Sequence, residues 1–176
     1  MNQAFLKLRL TVASAVLFAC FALLNSGCGV YSMTGASIPP DAKTVSVAFF
    51  PNKAQLVVAT LSPLFTEALQ DEFINQTNLE LVERNGDLAM EGEIVEYRVS
   101  PVAIQGDQTA ALNRLTIAVN VRFTNRYEPD KDFEQKFSQF IEYDASSDLA
   151  AIQEDLIETI TGFLANDIFN KAVINW

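Results

Sequence analysis

The apolar residues change period several times between Thr44 and Trp176, and each change marks an element. Residues 44–50 alternate Val45, Val47 and Phe49 with Thr44, Ser46 and Ala48, a half-buried strand ended by Pro51-Asn52. From Thr60 onward, Leu61, Leu64, Phe65, Ala68, Leu69 and Phe73 recur at steps of three and four, with Glu67, Gln70, Asp71 and Glu72 between them. That spacing predicts an amphipathic helix whose apolar stripe is core. Ser62-Pro63 offers an N-cap followed by a first-turn proline, Thr60 is the alternative cap, and Thr77-Asn78 closes the segment.

Residues 79–82 form a short strand candidate, and Asn85-Gly86-Asp87 is a turn signal of the hairpin kind, so the second strand is expected to turn into the third. Residues 88–100 begin with Leu88, Met90 and Ile94 on one parity and finish with Val95, Tyr97 and Val99 on the other. A strand of period two changes face only through an extra residue, which predicts a bulge near Gly92 to Val95. Beyond the loop around Gln105-Gly106-Asp107, Leu115, Ile117, Val119, Val121 and Phe123 alternate with Thr116, Ala118, Asn120, Arg122 and Thr124, the cleanest strand of the chain. Glu128-Pro129-Asp130 breaks the pattern, and Phe133, Phe137, Phe140, Ile141 and Tyr143 mark a rougher strand over residues 132–143. A second helix follows, with caps offered by Ser146-Ser147-Asp148 and a stripe of Leu149, Ile152, Leu156, Ile160, Phe163, Leu164 and Ile168. The order β-α-β-β-β-β-α predicts an α+β fold: a two-layer sandwich with two amphipathic helices on one face of a four- to five-stranded, mostly antiparallel sheet.

The first residues carry a different signal. Lys7 and Arg9 precede an apolar run of about fifteen residues, Leu10 to Leu24, and Ser26-Gly27 supply small residues before Cys28. This is the layout of a signal peptide, and the run falls short of the roughly 20 residues a membrane span needs. The expected organisation is residues 1–27 as signal, 28–43 as a tether rich in Ser, Thr, Gly and Pro, and 44–176 as a single domain. Around Cys28 the sequence resembles a bacterial lipobox, in which the cysteine becomes the acylated first residue. Leu17-Phe18-Ala19-Cys20 offers a competing frame, but cutting there would leave Phe21-Ala22-Leu23-Leu24 on the mature chain. With Cys28 acylated and Cys20 removed, no disulfide can form, and stability rests on packing.

Charge and composition narrow the chemistry. Loss of Lys7 and Arg9 leaves ten basic residues against 22 acidic ones, a net charge of −12, which disfavours nucleic acid as a partner. The chain holds no histidine, so the commonest general base and transition-metal ligand and every Ser-His or Cys-His arrangement are absent. Phosphate loops, zinc spacings and calcium loops are missing too, so neither a metal nor a cofactor is expected. The carboxylate pairs Glu91 and Glu93, and Asp71 and Glu72, read as solvated charged faces. A non-enzymatic protein is the expectation.

Several segments together resemble the LptE lipopolysaccharide-assembly lipoproteins, in the divergent branch outside the proteobacteria. They are Cys28-Gly29-Val30-Tyr31-Ser32, Gly35-Ala36-Ser37-Ile38-Pro39, Val45-Ser46-Val47 with Phe49-Phe50-Pro51-Asn52, and Leu61-Ser62 before Phe65-Thr66-Glu67-Ala68-Leu69. Gly92-Glu93-Ile94, Asn113-Arg114-Leu115 and Asp132-Phe133-Glu134 extend the pattern. The resemblance implies a two-helix, four-stranded sandwich, lipid-anchored through Cys28 on the periplasmic side of the outer membrane. It further implies a seat inside a large LptD-like outer-membrane β-barrel, where the lipoprotein is plug, assembly factor and candidate lipopolysaccharide binder. A free-standing periplasmic lipoprotein that binds lipid or glycan is the alternative, and a hydrolase is disfavoured by the missing histidine.

Two surfaces follow as candidate sites. Pairing of the strand that ends at Thr124 with the one that begins at Asp132 is expected to bring Arg122 opposite Lys136, and Arg98 and Arg114 form a second basic pair. In an acidic chain, such pairs invite an anion, and lipid A phosphates are the anion the resemblance suggests. The competing outcome is neutralisation by Glu134, Glu91 or Glu93, or a register shifted by one. The loop over residues 103–113, with Gln105, Gly106, Asp107, Gln108 and Asn113, is the candidate barrel contact.

Overall fold

The computed structural model describes residues 38–102 and 111–173. Cys28 and the loop residues Gln105, Gly106, Asp107 and Gln108 lie outside them. The elements are β1 (Thr44–Val47), α1 (Leu61–Gln76), β2 (Glu80–Leu81), β3 (Leu88–Pro101), β4 (Leu112–Asn125), β5 (Phe133–Asp144) and α2 (Leu149–Val173). This is the expected order, with residues 79–82 reduced to a two-residue strand.

The strands form one open mixed sheet in the order β2-β1-β3-β4-β5. The long pairs, β3 with β4 and β4 with β5, are antiparallel, whereas β1 runs parallel to both β2 and β3. Both helices cover one face. There Leu115, Ile117, Val119, Val121 and Phe123 of β4 are fully buried with Leu61, Phe65, Leu69 and Phe73 of α1 and Ile157, Ile160, Leu164 and Ile168 of α2. Each such side chain contributes about 1.5–3 kcal/mol by leaving water. Edge-to-face rings tie Phe50 to Phe65 of α1 at 5.0 Å and join the two helices through Phe73 and Phe169 at 5.2 Å.

The bulge forms where the parity change requires it. Pairing of β3 with β4 slips between Ile94 and Glu96, so Met90 and Ile94 before the slip, and Tyr97 after it, all reach the core. Gly92 lies before the slip, in regular register with Val121, and has no room for a side chain: a Cβ there would lie 2.7 Å from the Phe50 ring and 2.0 Å from the Asn120 carbonyl oxygen.

The expected hairpin between β2 and β3 does not form. β2 bonds instead to the outer side of β1, through Glu80 N–H to Lys43 O and Val82 N–H to Val45 O, both 2.9 Å. The chain then passes over β1 to reach its other side. Asn85 takes a left-handed φ of 57°, and the Gly86 N–H donates to Ser46 Oγ at 3.1 Å. The turn residues thus serve a tight crossover, which explains how Ser46 is buried while its neighbours Val45 and Val47 face the core.

Two apolar residues assigned to the core face outward. Alternation fails after Val47 because β1 ends there, leaving Phe49 62% exposed and Phe50 buried over Gly92. On α2, the expected Ile160, Leu164 and Ile168 are buried together with Ile157, Thr161, Ala165, Phe169 and Ala172, and Phe163 falls on the far side at 50% exposure. The caps divide similarly. Thr60 holds the α1 N-cap position without a side-chain bond, and Ser62 lies inside the first turn. At α2, Asp148 Oδ1 accepts the Ala150 N–H at 3.0 Å.

Candidate functional site

The helix-free face of the sheet gathers the basic residues singled out by sequence. A loop centred between Thr124 and Asp132 places Arg122 opposite Glu134, and Lys136 opposite Asn120. The expected opposition of Arg122 and Lys136 is therefore two residues out of register. The two remain on the same face, as diagonal neighbours. Arg98 and Arg114 are also diagonal, opposite Thr116 and Ser100 respectively.

Each base has a carboxylate. Arg122 pairs with Glu91, Arg114 Nη2 lies 2.5 Å from Glu142 Oε1, and Arg98 and Lys136 share Glu96. The competing outcome of neutralisation is thus what the structure displays at Glu91, while Glu96 and Glu142 were not foreseen. Glu96 receives Arg98 Nε at 2.9 Å on one oxygen and Lys136 Nζ at 3.1 Å on the other. The Arg98 bond, then the Lys136 bond, holds its carboxyl below the usual range. Ala118 sits opposite both Glu96 and Ser138 and is fully buried, because the Lys136–Glu96 bridge closes over it.

The environment of Arg122 differs from that of the other three. A shallow depression of about 420 Å³ is lined by Glu91, Gly92, Glu93, Asn120, Val121, Arg122 and Glu134. Three carboxylates surround one guanidinium, so the depression is acidic. Toward the other end of β4, Arg98, Arg114 and Lys136 outnumber Glu96 and Glu142, and Phe140 shares a row with Thr116 and Arg98. Phe140 is 49% exposed, with the Arg114 guanidinium 4.1 Å above its centroid. Sequence parity had left Phe140 unassigned to a face. The signal was present, since Lys136, Ser138, Phe140 and Glu142 are the polar-side register of β5.

At the start of β1, Asp87 ties the crossover to the strand. Its Oδ2 accepts the N–H groups of Lys43 at 3.0 Å and Thr44 at 3.1 Å and the Thr44 hydroxyl at 3.0 Å, while its own N–H donates to Thr44 Oγ1 at 2.9 Å. The Lys43 N–H bond, with the Thr44 hydroxyl next, holds the Asp87 carboxyl below its ordinary value.

Of the barrel-contact candidates, Asn113 alone lies among the described residues, paired between Pro101 and Tyr143 at the stem of the β3–β4 connection. None of the described His, Cys, Asp and Glu residues cluster as a metal site.

With this geometry in view, comparison with known proteins gives one decisive result. The sequence model of the LptE lipopolysaccharide-assembly family matches residues 42–172. The chain belongs to the LptE family. Membership carries a role in lipopolysaccharide assembly, and the family is non-enzymatic. No curated protein matches the chain in sequence. Among solved structures this LptE-family chain is similar to a minor lipoprotein from Acinetobacter baumannii, at 12% identity over 72% of this chain and 90% of that one, with a TM-score of 0.43. It is also similar to the uncharacterized lipoprotein B of Nitrosomonas europaea, at 12% identity over 81% and 88%, with a TM-score of 0.46. A third is PelC from Paraburkholderia phytofirmans, a dodecamer, at 11% identity over 74% and 93%, with a TM-score of 0.41. The assignment rests on the family match, not on these distant likenesses.

Proposed function

We propose that this LptE-family protein is an outer-membrane lipoprotein, anchored through acylated Cys28 on the periplasmic side. It partners a large LptD-like β-barrel as plug and assembly factor for the insertion of lipopolysaccharide into the outer leaflet. The family match over residues 42–172 carries this reading. An α+β domain with a polar, hydrogen-bonding sheet face and no catalytic constellation among its described residues suits such a partner role. Two or more acyl chains hold an acidic domain at a membrane despite its charge. Arg98, Arg114, Arg122 and Lys136 are the candidate lipopolysaccharide contacts on that face.

The test is affinity purification of the acylated protein from gently solubilised outer membranes, with mass identification of what travels with it. A stoichiometric β-barrel several times its mass is expected. Recovery of the lipoprotein alone, repeated after crosslinking, would replace the assembly role with that of a free-standing lipid- or glycan-binding module.

A further inference from the structure

We infer that the outer edge of β5 pairs with the same edge of a second copy of this chain, antiparallel about a two-fold axis at Phe140, so that two sheets become one. This pairing requires neither the barrel nor lipopolysaccharide.

The two edges of the sheet are unlike. β2 ends one side with Glu80 and Leu81 alone, and so short a strand gives another chain little to pair with. β5 ends the other side with twelve residues that hold one register with β4 throughout and include neither proline nor glycine. Brevity, proline and bulge, three common ways of blunting an edge, are all missing there. Among the described residues, no strand bonds to its outer side. Lys136, the one base on β5, reaches inward over β4 to Glu96 instead of guarding the edge.

Backbone parity identifies the free groups. The Ala145 N–H donates to Ala111 O in continuation of the β4–β5 ladder, so the odd-numbered residues of β5 exchange bonds with β4. Lys136, Ser138, Phe140 and Glu142 therefore turn their N–H and C=O groups to the open side. A row of such groups is a template for another extended strand.

The side chains select a second copy as that strand, because β5 is complementary to itself about one centre. With the axis at Phe140, this residue meets its own counterpart, Ser138 meets Glu142, and Lys136 meets Asp144 of the second copy. On the helix side, Phe137 meets Tyr143. Every charge in the overlap over residues 136–144 then faces an opposite or a neutral group. Centring on Ser138 would set Glu134 against Glu142, and centring on Gln139 would set it against Asp144, like charges directly opposed. Centring on Phe137 or Ile141 leaves Lys136 without an opposite charge. Two acidic chains repel at long range, so this local match fixes the register. It also gives a use to the Phe140 ring, 49% exposed in a single chain, which gains an aromatic partner on the axis.

The experiment is disulfide crosslinking of the full-length chain in the membranes of cells that make it, read on non-reducing gels. Phe140→Cys places two thiols on the axis at a Cα separation of about 5.5 Å, within disulfide range. Ser138→Cys and Glu142→Cys each stand about 14 Å from their own counterpart, beyond that range, but face one another when the two variants are made together. Mild oxidation should therefore give a dimer from Phe140→Cys, and from the co-expressed pair, at about tenfold the yield of Ser138→Cys or Glu142→Cys alone. The unaltered chain, with Cys20 and Cys28, sets the background. Adding Ser138→Pro to the Phe140→Cys chain removes an outward N–H and no bond to β4, and should cut the dimer about tenfold. Circular dichroism of the purified variants verifies the fold. If the proline unfolds the chain, the comparison of the three cysteine positions decides without it. Equal yields at residues 138, 140 and 142, or no dimer from Phe140→Cys, overturn the pairing. Crosslinking of Phe140→Cys to a larger protein overturns it in favour of a different partner on the same edge.

Discussion

Lys136 on β5 reaches across β4 to donate to Glu96 on β3 at 3.1 Å, closing over Ala118. Both side chains remain partly exposed, at 52% and 26%, so solvent screens the pair and its stabilisation is at most about 1 kcal/mol. Its larger effect is on charge, because one carboxylate occupies two cations. Glu96→Gln should therefore lower stability by less than about 1 kcal/mol in denaturant titration. It should also strengthen lipopolysaccharide binding by freeing Arg98 and Lys136, two of the proposed contacts. Affinity equal to or below that of the unaltered protein would show that Glu96 positions these bases instead of competing for them.

Two glycines should prove intolerant of a single methyl group. At Gly86 a Cβ would lie 2.5 Å from Ser46 N and 2.7 Å from Leu88 O, and at Gly92 it would lie 2.0 Å from Asn120 O. These are backbone atoms held by the sheet and cannot yield as a side-chain tip can. Gly86→Ala and Gly92→Ala should each cost about 3 kcal/mol or more. Gly162→Ala, whose Cβ would meet nothing within 4 Å, should be neutral or slightly stabilising. Thermal melts of the three variants separate the cases.

What could be read from sequence follows the strength of each periodic signal. β4, with five apolar residues in strict alternation, and the bulge in β3, forced by a parity change, were legible because a buried face leaves period two no freedom. The parallel placement of β1 between β2 and β3 was not. It depends on bonds between residues some 35 to 45 positions apart, and Asn85-Gly86-Asp87 reads alike whether it folds a hairpin or a crossover. The sheet-face ion pairs were half legible. Once the bulge is placed, Glu96 and Arg98 share the outward face with Lys136, but which carboxylate joins which base is set by register to the residue.

Asp87 should make the start of β1 sensitive to acid. Its folded carboxyl titrates below its ordinary value of 3.8, so the ionised form is favoured by folding. The stabilisation is fully present above that value and is lost as pH falls through the lower folded value. Asp87→Asn should therefore unfold at lower denaturant than the unaltered protein near neutrality, and the two midpoints should converge in acid below about pH 4. A gap that stays constant down to pH 2 would assign the cost to altered geometry rather than to charge.

Anchoring is testable apart from assembly. Cys28→Ser removes the thiol proposed to carry the acyl chains, and a domain lacking such chains has no strong membrane affinity. The variant should leave the outer-membrane fraction and lose radiolabelled palmitate. Retention of label would point to Cys20, the competing cysteine in the signal region.

The connection over residues 103–113 is where barrel contact can be separated from folding. Its stem is closed by backbone bonds, Val102 N–H to Leu112 O at 2.8 Å and Ala145 N–H to Ala111 O at 2.9 Å, and Asn113 is held between Pro101 and Tyr143. Ladder ends so close can be joined by a two-residue turn, so residues 104–110 can be replaced by Asn-Gly without disturbing the sheet. The deletion should leave the melting temperature within about 4 °C of the unaltered protein, since it removes no buried contact among the described residues. Barrel recovery in affinity purification should nevertheless fall several-fold, because Gln105, Gly106, Asp107 and Gln108 leave with the loop. Full recovery with the shortened connection would move the contact elsewhere. The exposed Phe49, Leu56 and Val57 of the β1–α1 connection would then be the next surface to substitute.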